Sequence, residues 1–466
     1  MRSTTKRWVL LGATLAAACG ADGTPGSGGS SSSGGFGTDA AGGTESVDAS
    51  TGEGSGGEST TGPGSTGGSS SATSASTGDD TTGATEGSTG GDSELPCEFT
   101  PGAAIEMHAL GETEAANPAI ARDETGLWLV HRRVVGDEFL YHDLHVGHVS
   151  CDDVFDQPPL LFSHEDYEDH VDPGVAVHEG AVLVSFYREP DFDQSTSHYV
   201  VFDGVSLETI AESPQEFQWS YTGRVDAVSH SGGFRIATTG SSDSGESVVH
   251  TLPLSSEGVP SRPPVGPSAD GNYDRYFSNA NVSAGGRWLA YYDRDQAADT
   301  WTPTLHDLQG SASPLQWRPE DDMGSLRLRT TEDTEAFPIL VAHFNVGEWP
   351  YDDSLSDVEV RVGLGEPIRL GLDGRGERGG RVAVGPDGRI GVAYYDVPAP
   401  GESGMVRFQE LQRTGDALTR VGEEVEVGVM YDWTRPAIAW TGAGYTIVWQ
   451  SGSSLWMRTM ATESGR

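Results

Sequence analysis

The chain has 466 residues, 70 of them Asp or Glu against 28 Lys or Arg, for a formal net charge of −42. Residues 1–19 carry +3 and residues 20–95 carry −11, which leaves −34 on residues 96–466. So negative a surface repels nucleic acid and anionic lipid and favours cationic partners or metal ions; nucleic acid is excluded as a partner. Lys6 is the only lysine, which closes lysine Schiff-base and lysine general-base chemistry downstream of the leader.

Arg2, Lys6 and Arg7 give the N-terminus its positive start, an apolar run follows from Trp8 to Ala18, and Cys19 closes it. This is an export signal, too short and too abruptly followed by polar sequence to make a stable transmembrane helix. Leu15, Ala16, Ala17, Ala18, Cys19 and Gly20 together resemble the lipobox of bacterial lipoproteins, with Ala16 standing where leucine is usual. The resemblance implies that Cys19 is lipidated, palmitate included, and so anchors the mature chain to a membrane. Ordinary signal-peptidase cleavage after Ala18 is the alternative. Gly20 in place of Asp implies, by the same resemblance, an outer-membrane lipoprotein facing the periplasm or the cell surface.

Residues 20–95 are nearly all Gly, Ser, Thr, Ala and acidic residues, with Phe36 as their single aromatic and no basic residue. They cannot bury enough apolar surface to offset the entropy of ordering, so a disordered linker is expected. At about 5–6 Å × √n, such a tether would hold the domain roughly 50 Å from its anchor. The remaining cysteines, Cys97 and Cys151, are expected to form a disulfide in an oxidising compartment, clamping the N-terminal strand to the first repeat. Two free buried thiols are the alternative.

From residue 96 onward one short stretch keeps returning. Its clearest copies are Leu289, Ala290, Tyr291, Tyr292, Asp293 and Val392, Ala393, Tyr394, Tyr395, Asp396; the others span 129–133, 184–188, 236–240, 341–345 and 447–451. Their ends are 55, 52, 53, 52, 51 and 55 residues apart, the signature of a repeat architecture. A short strand precedes most copies, at 118–121, 173–177, 226–229, 279–282, 381–384 and 436–439, and a glycine-bearing turn such as Gly232 with Gly233 or Asp387 with Gly388 joins the two. Third strands are expected at 139–142, 198–202, 247–250, 358–360, 405–408 and 455–458, and fourth strands at 159–162 and 206–210. The fifth repeat departs, because residues 330–335 lack the small-residue strand.

Three or four strands in about 53 residues make one blade. The fold expected for residues 96–466 is therefore all-β, a β-propeller of seven blades. Six or eight stay open, since the segment around Ala103, Ala104, Ile105 and Glu106 could complete the last blade. The small Ala119, Gly174, Ala227, Ala280, Ala383 and Ala437 suit a crowded axis, and the aromatics of the recurring strand suit the space between blades.

Chemistry is expected at the axial end. Polar residues enter the inner strands there: His170, Asp172, Arg224, Asp226, Arg275, Asn279, Asp432 and Arg435. Arg188, Tyr292, Asp293, Tyr395 and Asp396 end the recurring strands. Such a ring could hold a sugar or a carboxylate, with Asp172 and Asp226 as candidate catalytic acids. The competing reading is that these groups cap strand ends and pair with one another, and the repetition of the second set favours turns. Histidines are scattered without zinc spacing, so no metal site or cofactor is expected. The acidic loops 189–193 and 351–353 could hold calcium, with plain solvated acidity as the simpler reading. Metalloprotease, nucleophile-elbow and phosphate-loop motifs are absent from the sequence.

Ser241, Asp243 and Gly245, with Val248 where tryptophan is usual, resemble the Asp-box hairpin of bacterial sialidases and related propellers. The resemblance implies a structural turn in a sialidase-like ring. It further implies an arginine cluster, for which Arg188, Arg224, Arg275 and Arg435 are available, and an Asp acid at Asp172 or Asp226; no Tyr–Glu pair matches. The leading expectation for function is a non-catalytic cell-surface binding or scaffold propeller, its ligand a polysaccharide or an envelope protein. The alternative is a glycoside hydrolase or lyase acting on extracellular polysaccharide. A structural partner in an envelope complex is a third reading.

Overall fold

The computed structural model describes residues 97–109, 117–134, 142–152, 160–162, 169–191, 194–213, 225–241, 247–261, 275–283, 285–295, 300–310, 313–316, 323–329, 337–345, 356–371, 376–397, 403–430 and 434–462. Their strands form seven antiparallel sheets in chain order, the blades of a β-propeller. Strand β1 (Ile105–Ala109) comes first in sequence but belongs to the last blade. Blade 1 holds β2 (Ala119–Arg122), β3 (Gly126–Val134), β4 (His142–Ser150) and β5 (Leu160–Phe162). Blade 2 holds β6 (Asp169–His178), β7 (Ala181–Asp191), β8 (Gln194–Asp203) and β9 (Thr209–Glu212). Blade 3 has three strands among the described residues, β10 (Asp226–His230), β11 (Gly233–Ser241) and β12 (Ser247–Leu254). Blade 4 holds β13 (Arg275–Val282), β14 (Trp288–Asp295), β15 (Thr300–Asp307) and β16 (Leu315–Gln316). Blade 5 holds β17 (Met323–Arg329), β18 (Ile339–Asn345), β19 (Ser356–Val362) and β20 (Ile368–Leu370). Blade 6 holds β21 (Gly376–Val384), β22 (Arg389–Val397), β23 (Gly404–Thr414) and β24 (Ala417–Met430). Blade 7 holds β25 (Ala437–Trp440), β26 (Gly444–Ser451) and β27 (Ser454–Ala461), with β1 paired outside β27. No helix among the described residues is long and apolar enough to cross a membrane.

The recurring stretch is the second strand of every blade, and its doubled aromatic has a packing cause. Successive strand residues point to opposite faces, so one aromatic of each pair serves each neighbouring seam. Tyr291 packs toward blade 3 with Val228, Ala237 and Val249, while Tyr292 packs toward blade 5 with Leu340 and Ala342. Tyr394 likewise joins the seam to blade 5 and Tyr395 the seam to blade 7. The apolar core consequently falls into seven clusters, one per seam. The seam between blades 7 and 1 gathers Phe99, Leu127, Leu129, Val149, Val448, Leu455 and Met457.

The hairpin turns between first and second strands follow the glycine signals. Asp387 and Gly388 sit at φ 56° and 75° in the blade 6 turn, a left-handed pair that glycine adopts without strain and Asp tolerates.

Several expectations need correction. The inner strand of blade 5 exists, but it lies upstream of residues 330–335, which fall outside the described residues; it is β17, whose Leu326 and Leu328 replace the small residues used as a guide. The third strand of blade 1 begins at His142, where the expected one at 139–142 would end. Blade 4 has a third strand, β15, that carries no apolar alternation clear enough to be marked from sequence. In blade 2 the fourth strand starts at Thr209. Before it Ser206 belongs to a turn in which the Asp203 carboxylate accepts the Val205 and Ser206 amides at 3.0 and 2.7 Å. The segment expected to complete the last blade does so as β1, and the blade count is seven.

Candidate functional site at the axis

The innermost strand of each blade is the terminal strand of its sheet, so one row of its backbone amides and carbonyls has no neighbouring strand and faces the axis. Five of these strands, β2, β6, β10, β21 and β25, line an axial cavity of about 250 Å³. The expected small residues Ala119, Gly174, Ala227, Ala383 and Ala437 are among its walls. Gly174 is required by close approach: a Cβ there would lie 2.6 Å from Ser185 Oγ and 3.2 Å from the Val225 carbonyl oxygen.

Strand register defines one level around the ring. The residues opposite the second position of the recurring strands are Ala119, Gly174, Asp226, Asn281, Leu326, Arg381 and Ala437. Blades 3, 4 and 6 thus bring Asp226, Asn281 and Arg381 to one height, all three buried. The other four positions, Ala119, Gly174, Leu326 and Ala437, are small or apolar. Asp226 Oδ2 accepts the Val282 amide of the next blade at 3.2 Å, and Ser185 Oγ donates to the Val225 carbonyl at 3.2 Å. The first bond ties the inner strands of blades 3 and 4 together, and the second ties the second strand of blade 2 to the start of blade 3.

Just above this level the inner strands of blades 2, 4 and 6 share one bulge. Residues 172–173, 279–280 and 379–380 each set two residues against a single aromatic, Phe186, Tyr291 or Tyr394. Asp172 and Asn279 therefore occupy equivalent backbone positions, with Gly379 as the third. Gly379 has φ 64°, and a Cβ there would stand 2.7 Å from the Tyr395 ring and 3.4 Å from Arg435 Cγ. Bulges locally bend a strand and strengthen its twist, and this one recurs at the same end of the ring in three blades. Arg378, beside the blade 6 bulge, is half-buried; burial lowers its pKa, and the neighbouring Tyr395 phenol acts in the opposite direction.

The remaining expected site residues divide as follows. Asp396 and Arg407 form a buried ion pair, with Arg407 Nε and Nη2 donating to Asp396 Oδ2 at 3.1 and 2.9 Å. Asp396 Oδ1 also accepts the Met405 amide at 2.7 Å. Glu426 and Glu424 approach the same guanidinium at 3.1 and 3.6 Å. Burial lowers the Arg407 pKa, but these carboxylates outweigh it and leave it raised. Tyr394 donates to Glu424, and burial together with that acceptor pushes the phenol up. Asp396 therefore anchors the start of the β22–β23 hairpin. Tyr292 and Tyr395 are buried in blade seams, and Asp293 is buried too. Arg188 is half-buried opposite His170 in register; burial lowers its pKa and Glu212 opposes the shift. Arg435 stands just before β25 with its stem against Gly379. The side chains of His170, Asp172, Arg275 and Asn279, and all of Cys19, Arg224 and Asp432, lie outside the described residues, as do the calcium candidates: residues 192–193 and 351–353 entirely, and the side chains of 189–191. Of the Asp-box-like stretch, Ser241 ends β11 and Ser247 opens β12 opposite it.

Asn281 and Arg381 were not singled out from sequence, although both lie in strands that were. Aligning the blades on their small residues puts Ala280 and Ala383 at the common level, whereas the strand pairing places Asn281 and Arg381 there.

A second groove, of about 880 Å³, lies at the hairpin-turn end of blades 1 and 2, with Asp123, Trp128, His148 and His178 in its walls. Asp123 organises the blade 1 turn. Its carboxylate accepts the Thr125 and Gly126 amides at 2.7 Å each and Trp128 Nε1 at 2.7 Å. Burial pushes the Asp123 pKa up, yet hydrogen bonds from His148 and Thr125 prevail and hold it well below the usual carboxylate range. The Cys97–Cys151 disulfide is formed, with Cα atoms 5.7 Å apart. Among the described residues no group of three or more His, Cys, Asp or Glu is arranged to hold a metal ion.

The fold and this axial geometry define the chain as a seven-bladed β-propeller. No protein-family model matches it, and no curated protein sequence does. Among solved structures it is similar to a prolyl endopeptidase at 11% identity and TM-score 0.43, over 76% of this chain and 51% of that one. It is also similar to the Trypanosoma rangeli sialidase at 9% identity and TM-score 0.39, over 65% and 57% of the two chains. A GH43_1 enzyme from Xanthomonas citri matches at 15% identity and TM-score 0.32, over 64% of this chain and 90% of its own. The chain spans about half the length of the endopeptidase.

Proposed function

We propose that the chain is a binding propeller without catalysis, exported and held at the outer membrane through lipidated Cys19, which takes one polar unit of an extracellular polysaccharide or envelope component at its axis. The observation that carries this reading is the composition of the axial cavity. Among its described lining residues Asp226 is the one carboxylate, and that carboxylate already accepts the Val282 amide. A glycoside hydrolase needs two carboxyl groups about 5–9.5 Å apart across the scissile bond. The cavity instead offers Asp226, Arg381 and the backbone edges of five strands, a set suited to hydroxyl and carboxylate groups. At about 250 Å³ it falls below the roughly 300–1,000 Å³ of ordinary ligand pockets, which fits one sugar unit at a chain end.

Calorimetric titration of the protein with uronic-acid-containing and neutral oligosaccharides, run beside a reducing-end release assay, tests the reading. Saturable binding weakened at least tenfold by Arg381→Met, with no release of reducing ends, is expected. Release of sugar that Asp226→Asn abolishes would replace it with the hydrolase. Anchoring is tested separately, by detergent-phase partition of the native chain against Cys19→Ser.

A further inference from the structure

We propose that the Cys97–Cys151 bridge is the point at which a pull arriving along the N-terminal segment enters the ring, so that the strand closing blade 7 is spared it. The proposal rests on the reading of residues 20–95 as a tether. The first and last described strands, β1 and β27, pair in blade 7 beside the seam to blade 1, and closure of that blade depends on β1. That strand is held to β27 by four register pairs, from Ile105↔Met457 to Ala109↔Ser454, with an irregularity between Glu106 and His108. The N-terminal end of β1 and the C-terminal end of β27 lie side by side. A pull on the chain ahead of β1 would therefore break its pairs one after another, starting at Ile105, and serial rupture offers the least resistance.

Cys97 meets the ring before that can happen. Its amide donates to the Glu124 carbonyl at 3.0 Å, its carbonyl accepts Arg122 Nη2 at 3.0 Å, and its sulfur is bonded to Cys151. All three ties go to blade 1. The chain crosses to blade 7 only afterwards, where the Phe99 amide donates to the Thr441 carbonyl at 3.4 Å and the Phe99 ring is buried in the seam. Cys151 directly follows β4, which is paired with β3 at nine positions, from Gly126↔Ser150 to Val134↔His142, and with β5 on its other side. The bridge thus hands the pull from a strand held by four pairs to one held by nine on one edge and more on the other. The 13 residues from 97 to 109 become slack on the protected side.

Single-molecule stretching of the full chain, with handles on its two ends, tests this directly. The handles supply the pull, so the result does not depend on lipidation of Cys19, whose failure would show separately in the detergent partition. In the oxidised protein the ring is expected to unfold without a low-force precursor. In the Cys97→Ser/Cys151→Ser protein an early low-force event is expected, lengthening the chain by about 45 Å as residues 97–109 come free at roughly 3.5 Å each. Should the double variant not fold, a dithiol added to the folded native protein provides the second arm: one disulfide and one dithiol give two cysteine thiols and one cyclic disulfide, and the same event is expected. The same early event in the oxidised protein, or none in the bridge-free protein, would overturn the proposal.

Discussion

Replacing Arg407 with methionine distinguishes a structural Asp396 from a ligand-binding one. The guanidinium is 8% exposed and the carboxylate 4% exposed, and they share two hydrogen bonds of 3.1 and 2.9 Å. Methionine keeps much of the stem's packing but takes the guanidinium away from Asp396, which keeps the Met405 amide, and leaves Glu424 and Glu426 facing it without their cation. Breaking a buried pair from one side costs about 3–5 kcal/mol. An unfolding entropy of about 2.1 cal/mol/K per residue, over roughly 370 residues, makes that a Tm loss of about 4–6 °C. Differential scanning calorimetry reads it, and Asp396→Asn in the Arg407→Met background should recover part of the loss because the stranded charge is gone. A Tm within 1 °C of wild type, with no recovery in the double variant, would refute the structural role of the pair.

Removing the disulfide by Cys97→Ser/Cys151→Ser opens a link across 54 residues, which loop entropy sets at about 4 kcal/mol; a Tm loss of about 5 °C is expected by calorimetry. Gly174→Ala drives a methyl to within 2.6 Å of Ser185 Oγ. It should cost about 1–3 kcal/mol in urea unfolding, and Ser185→Ala should relieve part of it. Burial holds the His250 pKa at about 4 against 6.5 for the free side chain. The unfolded chain thus takes up the proton first, and stability present above pH 6.5 drains away as pH falls toward 4, by about 3 kcal/mol at most. His250→Gln should flatten that part of the Tm–pH curve, read as the difference from wild type.

How far the fold could be read from residues depended on which strand carried the signal. The second strand of each blade spells out its place, because it is buried on both faces and needs an apolar or aromatic residue toward each seam, as Tyr291 and Tyr292 do. Inner strands are legible only where a small residue marks them; β17, with Leu326 at the common level, was not. The ends of β4 and β9 were misplaced as well; β9 is largely exposed and carries little apolar alternation to mark it. The axial level itself was hidden because small residues were used to align the blades. Asp226 was found from its spelling, whereas Asn281 and Arg381 emerge only from the strand pairing, opposite Ala290 and Ala393. Asp396 was singled out because acidic residues recur at strand ends, and in blade 6 it anchors the β22–β23 hairpin through Arg407 and the Met405 amide.

The most direct test of an axial binding site is an experimental structure of the protein soaked in a mixed pool of acidic and neutral oligosaccharides. The account predicts one uncleaved sugar unit at the inner-strand level, hydrogen-bonded by Arg381 and the free edges of the inner strands. A cleaved product held between two carboxylates, or ligand bound only on the outer faces of the blades with the axis empty, would contradict it.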